Sequence, residues 1–116
     1  MRLLTAVLGG LLFAAGTTAV KAEVPKPIVA LLGPSIGYLL SQSDLCQWGL
    51  TDKIRATYRN GFTAIGMTEA QQSAAWAQAA EAQRRMADLP ADAKERMKAD
   101  TCTAVARERV EHELGD

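Results

Sequence analysis

Thiols, imidazoles and clustered carboxylates are where chemistry would start, and this chain of 116 residues holds two cysteines and one histidine. Cys46 and Cys102 lack the Cys-x-x-Cys spacing that lowers a thiol pKa, so redox catalysis is not indicated. An even pair in an exported chain points instead to a structural disulfide. The loop it closes holds about 57 residues, worth about 4 kcal/mol on the chain-entropy account. His112 follows Glu108 by one helical turn, a spacing that can present two metal ligands. Two ligands rarely suffice, and a cationic histidine near a helix C-terminus is favoured by the dipole. The pair therefore reads as a solvated face, and no metal is expected.

The other candidates for chemistry are weaker. Asp88 and Asp92 read as helix-end charges, not as a tuned acid/base pair. No serine sits in a nucleophile motif, and there is no Gly-rich phosphate loop, haem attachment motif or internal repeat. Met67, Met86 and Met97 are scattered and read as core or loop residues, not copper ligands. Neither enzymatic activity nor a cofactor is expected.

The elements that hold these residues are read from composition first. The 13 basic and 13 acidic residues balance, which gives no electrostatic reason to expect nucleic acid as a partner. The length suits one domain. Aromatics are few, and alanine carries much of the apolar content. Alanine favours helix and allows helices to approach closely, but it buries little area per residue. A thin core of that kind benefits from a covalent staple.

Residues 1–22 read as a bacterial signal peptide, with Arg2, an uncharged apolar run, and then Val20-Lys21-Ala22 before cleavage. Export to the periplasm or medium follows, with no integral membrane association after cleavage. Residues 23–34 contain Pro25, Pro27 and Pro34, and Gly33 precedes the last. Proline biases its predecessor to extended geometry, so an extended apolar arm is expected here. Residues 35–116 form the disulfide-stapled helical domain.

Within that domain, Ser35 to Gln42 is expected to make a short helix burying Ile36, Leu39 and Leu40. Cys46, Leu50, Ile54, Tyr58 and Phe62 recur every four residues, with Ile65 three further on. That spacing places them along one helical face. Gly49 with Thr51-Asp52 can break the run, leaving Asp52 to Ile65 as the main helix. Gly66 suits a left-handed closing residue, and Thr68 with Gln71 fits a capping box. A helical hairpin is therefore expected, its second helix running from Glu69 to Asp88 with Trp76 as the aromatic anchor. Pro90 opens a helix to Asp100, and a last one runs from Thr103 to Leu114, with surface pairs Arg107–Glu111 and Arg109–Glu113.

The expected fold is all-α: a small single-domain bundle of three to five short helices with one disulfide. Export, a mature length under one hundred residues, helix throughout and one staple together resemble the small periplasmic acid-stress chaperones. The likeness lies in this general plan; none of their motifs surrounds Cys46 or Cys102, so no functional residue carries over. The expected function is non-catalytic binding of an unknown protein partner, with a holdase-type chaperone as the first alternative and an enzyme of unknown type as the second. Ile28, Tyr38 and Trp48 are the candidates for exposed apolar contact. The sequence leaves the oligomeric state open.

Overall fold

Two of the three prolines that suggest an extended arm sit where a helix tolerates them, and the third lies inside the helix. The computed structural model describes residues 24–115, and the leader expected at 1–22 lies outside them. From Lys26 onward the segment read as an arm is helical, part of α1 (Lys26–Leu45). Pro25 is its N-cap and Pro27 falls in the first turn, where a missing N–H costs nothing. Pro34 lies inside the helix. Its ring would crowd the Cβ of the preceding residue, but that residue is Gly33, which has none. The carbonyl of Ala30 loses its usual donor, yet both Ala30 and Pro34 are exposed, so water can replace it. The expected boundary at residue 34 thus falls in mid-helix.

Four more helices follow among the described residues: α2 (Thr51–Ala64), α3 (Glu69–Ala87), α4 (Ala91–Thr101) and α5 (Ala104–Glu113). Their ends match the sequence signals to within a residue or two. The chain does break around Gly49, which takes φ +71°, so Cys46 closes α1 and does not belong to α2. The α2 helix ends as its glycine predicts. Gly66 has φ +83°, its N–H donates to the Thr63 carbonyl at 3.1 Å, and Met67 N–H reaches the Phe62 carbonyl at 3.0 Å. That pairing satisfies two carbonyls left over at the helix end. Ile65, expected on the buried face, lies past the helix and is 54 % exposed. The α3 capping box is complete: Thr68 Oγ1 accepts from Gln71 N–H, and Gln71 Oε1 accepts from Thr68 N–H, both at 3.1 Å.

The closest helix pair is α1 with α3, not the hairpin partners α2 and α3. A Cβ built on Gly33 would lie 2.6 Å from Gln78 Cβ and 2.8 Å from the Ala75 carbonyl oxygen. One built on Gly37 would overlap the carbonyl oxygen of Ala79 and come within 2.7 Å of Ala82 Cβ. The two backbones therefore touch across glycine on one side and alanine on the other. Gln71 Nε2 also donates to the Val24 carbonyl at 2.6 Å. Val24 meets Gln71, Gly33 meets Ala75 and Gly37 meets Ala79, so both helices advance in the same direction. The intervening α2 carries the chain back between them.

The apolar cluster lies beside that contact. Ile36 and Leu40 of α1 and Ile54 of α2 are fully buried, with Phe62, Met67, Val110 and Leu114 around them. Each such side chain contributes roughly 1.5–3 kcal/mol by leaving water. The buried aromatics are Phe62 and Trp48, while Trp76 is only half-buried. Trp76 packs edge-on against Phe62 at 5.5 Å between centroids, with the Arg55 guanidinium 5.8 Å from its ring. The residues that α3 buries fully are alanines, Ala75 and Ala79.

Gly37→Ala should lower stability by about 1–3 kcal/mol, because its new methyl meets backbone and not a movable side chain. Gly61 is an exposed interior residue of α2 with open space around it. Gly61→Ala should instead raise stability by about 0.5–1 kcal/mol. Urea melts of the two variants test the pair, and equal effects would refute the close α1–α3 contact.

Candidate interaction surface

The glycine side of α1 fixes which of its faces is left over. Residues 28, 31 and 38 share one face of a helix by their spacing of three and seven, and that face turns away from α3. Ile28 is 46 %, Leu31 69 % and Tyr38 41 % exposed. Single exposed apolar residues are ordinary on a protein surface, whereas three aligned along one helix make a stripe. Two of the three sequence candidates, Ile28 and Tyr38, stand on it. Leu31 is the most exposed member and is not among those candidates. Its signal is the i, i+3 step from Ile28, which is hidden as long as the segment reads as extended.

The third candidate, Trp48, is core: only 8 % of it is exposed. Its backbone N–H donates to the Ser43 carbonyl at 2.9 Å, which folds the turn back over the end of α1. Gln47, just before it, takes the left-handed φ of 54° that this closure needs. The buried Ser43 hydroxyl accepts from Leu50 N–H at 2.9 Å and ties the far side of the same turn. With the turn closed in this way, the Trp48 side chain joins the core cluster.

Cys46 and Cys102 are bonded, with their Cα atoms 5.2 Å apart. The bond joins the end of α1 to the short link between α4 and α5. From there α5 follows α2: Arg107 Nη2 donates to the Trp48 carbonyl at 3.4 Å, and Glu113 lies near enough to Tyr58 to raise its pKa. The expected Arg109–Glu113 pair is not formed among the described residues, while Arg107–Glu111 is present at 3.5 Å. Glu108 and His112 both lie exposed on α5, and among the described residues no group of three or more metal-type side chains converges. Asp88 caps the end of α3 and Asp92 pairs with Arg96 at 3.3 Å. Among the described residues, no helix is long and apolar enough to cross a membrane.

Comparison with protein-family models, with curated proteins and with solved structures finds no match for the chain. The class is therefore defined by its own geometry: a disulfide-stapled, five-helix all-α assembly among the described residues, with an apolar stripe on its first helix.

Reduction of the Cys46–Cys102 bond should remove about 4 kcal/mol of stability and lower Tm by ten degrees or more, roughly 4–8 °C per kcal/mol in a domain of this size. Calorimetry with and without reductant measures it, and a change of only a degree or two would contradict the stapling role. A second test concerns Tyr58, whose pKa is raised above the ordinary 10.0 by burial first and by the Glu113 charge second. Because the folded-state value is the higher one, the protonated phenol's contribution to stability is complete below about pH 10 and is lost as pH rises through the folded-state value. Glu113→Gln should move the Tyr58 titration down toward its ordinary position. Tyrosinate absorbance in a Tyr38→Phe background reads this out, and an unmoved titration would deny that α5 lies along α2.

Proposed function

We propose that this chain is a small exported accessory protein that binds a protein partner without catalysing a reaction, through the outer face of α1. The observation that carries the reading is the alignment of Ile28, Leu31 and Tyr38 on a helix held rigidly from behind. A helix braced across backbone contacts loses little further freedom when a partner covers its free side, so burial of those side chains goes mostly into affinity. The disulfide supports export, because such bonds persist in oxidising compartments and are rare in the cytosol. The apolar run at residues 3–16 supports a cleaved leader and the periplasm as destination.

The test is site-specific photocrosslinking in intact cells, with the reactive residue at Leu31 or, as control, at exposed Arg59 of α2. The expected result is a discrete adduct from position 31 alone, lost on introducing Ile28→Glu. Adducts of equal yield from both positions, or none from position 31, would sink the proposal.

A further inference from the structure

Behind the stripe, where α1 ends, a cleft opens between α1, α3 and α4. Its volume is about 540 Å³, inside the roughly 300–1,000 Å³ of small-ligand sites. The apolar lining comes from Leu45 of α1, Met86 of α3 and Met97 of α4, all half-buried. Methionines are unbranched and adaptable, and they shape themselves to flexible alkyl chains better than branched residues do. The cleft exists because α4 buries no residue of its own and spans between the disulfide and the end of α3.

The charges at the cleft set the sign of what it can hold. Lys94 of α4 and Arg84 of α3 both line it. Arg84 is engaged by Glu81 one turn earlier. Lys94 is half-buried and makes no ion pair among the described residues. Asp44, the acidic residue of the lining, accepts a hydrogen bond from Thr51 Oγ1 at 3.2 Å and pairs with no cation among the described residues. The lining itself carries two cations, Arg84 and Lys94, to one anion, Asp44, and the cation without an ion-pair partner, Lys94, stands on the same helix as Met97, one turn from it.

We propose that this cleft binds a single-chain amphiphile with an anionic head, a free fatty-acid carboxylate. The alkyl chain lies against Leu45, Met86 and Met97, and the carboxylate meets Lys94 with Arg84 beside it. An aliphatic wall with one unpaired ammonium nearby matches such a ligand in both halves: methylenes leave water against the methionines, and the carboxylate offers the ion pair that Lys94 lacks. This site does not depend on the protein-binding reading of α1, since Ile28, Leu31 and Tyr38 do not line it.

The experiment titrates the oxidised protein, labelled at its methionine methyl groups, with dodecanoate below its micelle concentration. Saturable shifts of the Met86 and Met97 methyl signals are expected, with the core methionine Met67 unmoved. The cationic analogue dodecyltrimethylammonium should leave all three in place. Lys94→Gln should weaken dodecanoate binding roughly fivefold, the scale of a partly exposed ion pair, while circular dichroism and Tm stay the same. The proposal is overturned by any of four results: no saturable shift, an equal response to the cation, an unchanged affinity in Lys94→Gln, or Met67 moving together with the other two.

Discussion

The contact of α1 with α3 across Gly33 and Gly37 sets the terms for the rest of the molecule. Two helix backbones this close gain dispersion along their whole length, and no large side chain is required on either. Alanine-rich α3 could not otherwise anchor a core, since its fully buried residues are Ala75 and Ala79. The same contact makes α1 and α3 parallel, and parallel neighbours need a return element between them. The α2 helix is that element, and its larger residues, Ile54 and Phe62, fill the space that small residues leave empty beside the pair. Gln71 closes the assembly at one end by capping α3 and holding the Val24 carbonyl in one step.

The second half of the chain is held differently. No residue of α4 is buried, and α5 buries Val110 alone, with Leu114 just beyond it. Such elements would dock weakly by area alone. The Cys46–Cys102 bond fixes their shared joint against the end of α1, Arg107 ties α5 to the Trp48 carbonyl just before α2, and Val110 and Leu114 join the core. The surface ion pairs, from Glu81–Arg85 to Lys98–Glu95, are solvent-exposed and add little, of order 0–1 kcal/mol each. A covalent joint with sparse packing around it also explains why a cleft persists beside α4. Nothing large on that helix is drawn in to fill it.

These two modes of attachment leave their mark on the surface. Close packing on one side of α1 leaves Ile28, Leu31 and Tyr38 on its opposite side exposed. Beyond Tyr38 the turn at Trp48 and the α4–α5 joint close over the helix end. Apolar side chains at Ile28, Leu31 and Tyr38 thus remain outside while Ile36 and Leu40, on the side of the helix that carries Gly33 and Gly37, are fully inside. The proposals made for the stripe and for the cleft rest on this uneven covering, not on reactive groups.

Local chemistry made much of this fold legible in the sequence. The four-residue recurrence of Leu50, Ile54, Tyr58 and Phe62, the glycine stop at Gly66 and the capping box at Thr68 act within one or two helical turns, so they read directly from neighbouring residues. The disulfide was legible for another reason: two cysteines in one chain have one pairing. What local reading missed was set by partners distant in sequence. Pro34 is compatible with a helix because Gly33 precedes it, but the helix persists there because α3 packs against it. The role of Gly37 is visible only when the Ala79 carbonyl stands opposite. The same distant contacts decided that Trp48 faces inward and Leu31 outward, since a helix face is buried or exposed only by what the rest of the chain brings to it.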